Sequence, residues 1–321
     1  MTAQSLSLAA LWGACILYAI AMFGYSIRLA READVRTQAK RLVTAGGPAE
    51  DAAPAAASGS EKLPKSAVKA LGIARSATTV GFVLNAIGVA ARGVEAKHVP
   101  WSDMYEYTIT GAMIAVGVFL IVQRKRDVTF LGAGVVGLAT LALGLGLAVL
   151  YDEAKSLPPA LQSIWLIIHV SIATICTGIF AVAFIVTALQ LLKDYRDSGT
   201  SRTEWTRGRA LRFLEAVPTP AVLEALAFRL IAVGFVLWTF TVMAGAIWAE
   251  HAWGRYWGWD PKEVWSFVIW VIYAAYLHAR TTQGWAGRKS AYLALVGFAA
   301  LIINFTLVNF VFQGLHTYAN G

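Results

Sequence analysis

Five histidines and one tryptophan-rich run hold most of the chemistry this sequence can offer. The run is WGRYWGWDPKEVW, Trp253 to Trp265, with four Trp and one Tyr in thirteen residues and Gly254 and Gly258 between them. The histidines are His98, His169, His251, His278 and His316. Neutral imidazole is a good ligand for a haem iron, and a porphyrin needs large flat apolar contacts. Two imidazoles from separate helices beside an aromatic surface would therefore suit haem. Each piece also has a plainer reading. Trp and Tyr gather at membrane interfaces in many proteins. Asp260-Pro261-Lys262-Glu263 reads as a helix start, with an acidic N-cap, Pro at the first position and Glu at the third. Asp103 and Glu106, in HVPWSDMYEY, read as a second capping box. His278 suits a helix C-terminus beside Arg280, and His316 passes for a tail residue. His169 passes for a hydrogen-bonded interfacial residue, although an ionisable group in an apolar segment is a functional candidate by default.

Those residues need elements to hold them, and the composition says which kind. The chain has 321 residues, 58% hydrophobic and 14% charged, with 12 Trp, which is too apolar for a soluble domain of this size. Each bilayer crossing takes about 20 apolar residues in a helix, because every backbone polar group must be satisfied inside the segment. Eight stretches qualify: Leu6 to Ile27, Leu71 to Ala91, Tyr105 to Val122, Val128 to Leu150, Leu161 to Leu192, Val222 to Trp248, Val264 to Ala279 and Ala291 to Phe312. The expectation is an all-α integral membrane protein of about eight transmembrane helices with a Trp-rich extracytoplasmic segment. The first stretch lacks a basic start and a small-residue cleavage site, so it reads as a retained helix. Basic residues stay on the cytoplasmic side during insertion. Loops on one side hold twenty of them, and loops on the other only Arg92, Lys97, Lys155, Arg255 and Lys262. Both termini and the Trp-rich segment are thus expected outside the cytoplasm. The net charge of +8 is then a topology signal, with no nucleic-acid partner required.

Between the first two helices, LVTAGGPAEDAAPAAASGSEKLPK reads as a flexible cytoplasmic linker. A basic stretch from Lys193 to Val217, interleaved with Trp205, Leu211, Phe213 and Leu214, reads as lying at the membrane surface. The Gly-rich fourth helix offers small residues for close packing. The fifth is longer than a bilayer needs, about 50 Å from Pro159 to Leu192 against roughly 30 Å of hydrocarbon. Counting about 20 residues back from Lys193 puts His169 at the outer interface. His316 follows the last helix on that side, and His98 and His251 lie in outer loops. Only His278 lies near an inner helix end, about 27 Å of helix from Asp260. Cys15 and Cys176 sit inside predicted helices with no C-x-x-C or C-x-x-C-H, which excludes a thiol oxidoreductase and a c-type cytochrome. No G-x-x-x-x-G-K-[ST] loop is present for nucleotide hydrolysis.

The segment WGRYWGWDPKEVWSFVIWVIYAAYLHAR, with GWAGRKSAYLALVGF and NFVFQGLHTY downstream, resembles the WWD signature and following helix of haem-handling proteins. The match is to the CcsA/ResC type, also labelled CcsB, of System II cytochrome c biogenesis, and runs from about Leu71 to the end. The resemblance implies that His169 and His316 are the outer axial ligands of haem and that His278 is an inner, intramembrane ligand. It implies that Trp253, Tyr256, Trp257, Trp259, Asp260 and Trp265 form the haem platform. Arg255 and Lys262 are candidate propionate contacts by charge and location alone. Two departures are local: Asp103 stands where Asn is expected, and His251 where the family usually has another residue.

The implied organisation is a first transmembrane helix over 1–30, a linker over 31–70, and a seven-helix haem-handling domain over 71–321 with the WWD segment at 249–265. The implied activity is transport of haem b from the His278 site outward, and its presentation for covalent attachment to the C-x-x-C-H thiols of apocytochrome c. The chain would be a subunit of a holocytochrome c synthase (cytochrome c haem lyase). Implied partners are a Ccs1/ResB-type membrane protein, a thioredoxin-like thiol reductant and membrane lipid, in a bacterial cytoplasmic membrane or a thylakoid. The rival readings are a System I handler of the CcmC or CcmF kind, a b-type electron-transfer subunit, and a non-haem transporter.

Overall fold

The computed structural model describes residues 2–44, 63–154, 162–198, 209–312 and 314–315, and among these the regular structure is entirely helical. In chain order the helices are α1 (Ala3–Thr44), α2 (Lys65–Ala96), α3 (Met104–Lys125), α4 (Gly132–Leu145), α5 (Ile164–Asp197), α6 (Pro220–Trp253), α7 (Pro261–Thr282), α8 (Arg288–Phe305) and the short α9 (Leu307–Val311). A 3-10 turn, Thr129–Leu131, leads into α4, and a wider turn, Gly146–Leu150, continues it. A second 3-10 helix, Arg209–Ala216, lies between α5 and α6.

Seven of the eight expected spans are long and apolar enough to cross a membrane. The eighth, Val264 to Ala279, forms most of α7 but is less apolar than the other seven. Lys262, Glu263, Ser266, Tyr273, Tyr276, His278 and Arg280 all fall on that helix and dilute it. Helix α1 shows the general rule. Leu11, Ala14, Tyr18, Ala21 and Tyr25 recur every three or four residues and are buried, while Trp12, Ile16, Ile20, Phe23 and Ile27 stay exposed. One apolar stripe meets protein and the other meets lipid, so the helix is hydrophobic all round.

The expected linker over 31–70 is partly helical. Helix α1 continues to Thr44 and α2 begins at Lys65, while residues 45–62 lie outside the described residues. The extension of α1 has a partner. Arg212 pairs with Asp34 at 3.2 Å, and the Arg36 guanidinium donates to the Glu215 carbonyl at 3.3 Å. Leu211, Leu214, Ala216 and Val217 are buried with Leu29 and Ala33 in one apolar cluster, so this part of the basic stretch packs on α1. The glycines of α4 do permit close packing: at Gly132 a Cβ would fall 2.6 Å from the Tyr25 ring.

The interior forms two apolar clusters. One joins α1, α2, α3, α4 and the first turns of α6, through Leu223 and Ala227, and the other joins the rest of α6 with α7 and α8. Helix α5 belongs to both, through Val182 and Val186 on one side and Cys176, Phe180 and Ala183 on the other. It starts at Ile164, with the Ser163 hydroxyl accepting from the Trp165 N–H at 3.2 Å. Pro159, expected in its first turn, lies outside the described residues.

Candidate functional site

The Trp-rich segment is folded by two carboxylates. Glu263, in the first turn of α7, accepts from the Gly258 N–H at 2.7 Å and the Asp260 N–H at 3.1 Å, and the Arg255 guanidinium lies 3.3 Å away. Asp260 is buried, and one of its oxygens accepts from the Lys262 N–H at 3.0 Å, completing the expected capping box. Its other oxygen accepts from the Leu315 N–H at 2.8 Å, tying the C-terminal tail to the segment. Gly314 makes that approach possible, since a Cβ there would sit 2.4 Å from the Asp260 oxygen. Trp259 is held at φ 59° with its ring 75% exposed, a left-handed conformation that bulky residues rarely adopt.

On α5, facing this segment, His169 is fixed from α6. Its Nδ1 is 2.8 Å from the Thr241 carbonyl. A carbonyl only accepts, so Nδ1 carries the proton and Nε2 carries the lone pair a metal would use. The imidazole lies nearly parallel to the Trp248 ring, 14° between planes and 6.1 Å between centres. Gly245 makes room for it, because a Cβ there would stand 2.7 Å from the ring. Trp248 in turn packs edge-on against Trp253 at 4.7 Å.

The two groups share a cleft with about 1250 Å³ of free space, part of it open to solvent. His169, Trp248, Tyr256, Trp257, Lys262 and Tyr107 all line it. Tyr107 stacks on Phe305 at 5.5 Å and shares a 2.8 Å hydrogen bond with Thr177. The far wall is the break between α8 and α9, where Lys262 Nζ donates to the Asn304 carbonyl at 2.6 Å. At the near rim Asp103 caps α3, accepting from the Glu106 N–H at 2.7 Å. Glu106 does not close the expected box: its carboxylate turns to Ser102 and to the buried Arg92, 2.9 Å away.

Of the candidate haem contacts singled out by sequence, His169, Tyr256, Trp257 and Lys262 meet in this cleft, together with the capping residues Asp103 and Glu263. The others stand around it. Trp253 backs Trp248, Trp265 packs into the α6–α8 cluster, Trp259 points outward and Asp260 holds the loop. Arg255 lies against Glu263 and over the Trp253 ring at 5.8 Å. His316 lies outside the described residues, directly after the tethered Leu315. His278 is exposed near the opposite end of α7, where Arg280 pairs with Glu224 at 3.0 Å. His251 is exposed with its Nδ1 2.8 Å from the Ile247 carbonyl, and His98 caps the Val99 carbonyl at 3.0 Å. Sequence reasoning missed Thr241, Gly245, Trp248, Asn304 and Asn309, which sit in apolar helices with no local pattern to mark them.

Residues 101–316, from the α3 rim to the histidine after the tether, match the family model for the Cytochrome C assembly protein. The chain belongs to that family. Curated relatives of this cytochrome c assembly family agree. A cytochrome c biogenesis protein CcsA from Synechocystis is 35% identical over 280 residues, covering 72% of this chain and 83% of that one. Those from Gloeobacter violaceus and Prochlorococcus marinus are 35% and 32% identical, covering 72% and 74% of this chain and 81% and 80% of theirs. Among solved structures, the cytochrome c haem lyase CcmF aligns with a TM-score of 0.62 at 15% identity, which speaks to the fold alone. The alignment covers 96% of this chain and 47% of CcmF.

Proposed function

We propose that this chain binds haem in the Trp-rich cleft and presents it for covalent attachment to apocytochrome c outside the cytoplasm, as the CcsA-type subunit of a System II synthase. The observation that carries this is His169. Its Nδ1 proton is spent on a helix carbonyl and its ring is locked by Trp248 and Gly245, beside a large aromatic cleft. That is how a protein fixes the tautomer and direction of a metal-ligating imidazole. His316 is the second axial ligand in this reading, which the Asp260 tether supports by holding Leu315, the residue before it in sequence, against the Trp-rich segment. The twenty-to-five division of basic residues supports the orientation, with the Trp-rich end outside.

The cargo is haem b. Attachment adds each thiol S–H across a vinyl group, forming a C–S bond and moving the proton to the neighbouring vinyl carbon, with no net oxidation. The reacting groups belong to haem and apocytochrome, so the contribution of this chain is positioning and a closed iron coordination shell. His278 receives haem at the opposite end. Its exposure on α7 suits a site completed by a Ccs1/ResB-type partner, and a thioredoxin-like reductant keeps the apocytochrome thiols reduced.

The test is oxidised and reduced absorption spectra, with haem quantitation, on the chain purified with its co-expressed partner. Low-spin bis-imidazole haem is expected, altered in His169→Ala and His316→Ala and reduced in amount in His278→Ala. Haem that is absent from the parent complex, or indifferent to all three substitutions, refutes the reading.

A further inference from the structure

The polar atoms of the cleft are unevenly committed. Glu263 is engaged by two backbone N–H groups and Arg255, and Asp103 by the Glu106 N–H with Arg92 at 3.6 Å. Arg255 is used inside the loop and does not line the cleft. Lys262 does line it, and no carboxylate among the described residues lies within ion-pair distance of its ammonium. One of its three N–H donors goes to the Asn304 carbonyl, which leaves two.

Two further lining residues, Asn304 and Asn309, each carry a buried side-chain oxygen with no hydrogen-bond partner among the described residues. For Asn309 the amide cannot simply turn over, because its NH₂ donates to the Phe305 carbonyl at 2.7 Å. Buried polar groups left unpaired are costly, and two of them beside a cleft mark a place where a ligand can supply the missing donor. A cation beside acceptor oxygens suits a ligand with an anionic group and an O–H donor close together.

Resting on the haem reading above, we infer that Lys262, Asn304 and Asn309 form a carboxyl-binding subsite that takes the propionate edge of the porphyrin. One propionate is ionised on Lys262. The other is bound protonated and donates its O–H to Asn309 Oδ1, since two carboxylates against one cation would bury an uncompensated charge. With that edge against the α8–α9 break, the vinyl edge is turned away from it, where thiols of a second protein can reach it. The subsite thus sets which edge of the macrocycle is presented.

The experiment compares binding of haem and of its dimethyl ester, whose carboxyls are blocked, to the full chain purified with its partner. The parent protein is expected to bind haem at least tenfold more tightly than the ester. Lys262→Met and Asn309→Leu should each weaken haem binding several-fold and leave ester binding within twofold, and Lys262→Arg should restore most of the preference. Equal affinities in the parent protein, or a preference undiminished in Lys262→Met, overturn the subsite while leaving the haem reading intact. Binding of neither porphyrin overturns the haem reading, and the subsite with it.

Discussion

Gly245 and His169 meet so closely that a single methyl group decides whether the imidazole keeps its place. Overpacking of this kind typically costs about 1–3 kcal/mol when neighbours must shift. Here the neighbour that yields is the His169 ring, which lies against the end of a hydrogen bond and a Trp face. Gly245→Ala is therefore expected to leave the helices assembled and to convert the outer haem from low-spin to a mixed or high-spin spectrum. A spectrum identical to the parent would show that the ring is not fixed by this contact. Asp103 offers a second reading at this scale. Burial, with Glu106 beside it, lifts its carboxyl from 3.8 to about 6. Between those values the folded chain holds a proton that the unfolded chain has released, so the stability contribution falls as pH rises from about 4 to about 6 and is flat above. Asp103→Asn keeps an N-cap oxygen for Glu106 and removes the titration. Thermal unfolding in detergent should find the variant more stable than the parent above about pH 6, with the gap closing toward about pH 4.

Among the elements, the Trp-rich segment and the tail behave as one unit because Asp260 serves both. Asp260→Asn keeps one oxygen to cap Lys262 but sets an NH₂ group against the Leu315 N–H, a donor facing a donor. Loss of such a buried hydrogen bond costs about 1–3 kcal/mol. The expected result is a loop that remains folded and a tail that is released. Low-spin haem should diminish and return on adding free imidazole, which replaces a displaced axial ligand and would not repair a misfolded loop. This double duty explains what the sequence could and could not reveal. The cap was legible, because Asp-Pro-Lys-Glu is a local pattern with a local cause. The tether joins residues 55 positions apart through a backbone N–H, and no side-chain type announces it. Trp248 and Gly245 escaped for a similar reason: in a helix apolar on every face, periodicity does not say which side meets an imidazole on another helix.

Across the whole molecule, α5 and α6 join two packed halves, and the cleft lies where the N-terminal turns of α5 meet α3, α6, α7 and the α8–α9 break. Seven of the eight expected spans were legible from hydropathy because a bilayer imposes a length, while the continuation of α1 to Thr44 was not, because no apolar run marks it past Ile27. Asp34 and Arg36 are charged there because they face the Arg209–Ala216 helix across a solvated seam. Helix α7 departs from the others in a way that bears on how the protein is made. It carries the capping box of the Trp-rich segment at one end and His278 at the other, yet it is the span with the weakest claim to enter lipid alone. Ile269, Tyr273 and Tyr276 are covered by neighbouring helices, with Tyr273 stacked on Phe180 at 4.1 Å. During synthesis α5 and α6 leave the ribosome before α7 and α8 after it, so α7 lacks part of its shelter until α8 emerges. The cleft beside the Trp-rich segment would then be completed late in translation, after most of the chain is already in the membrane.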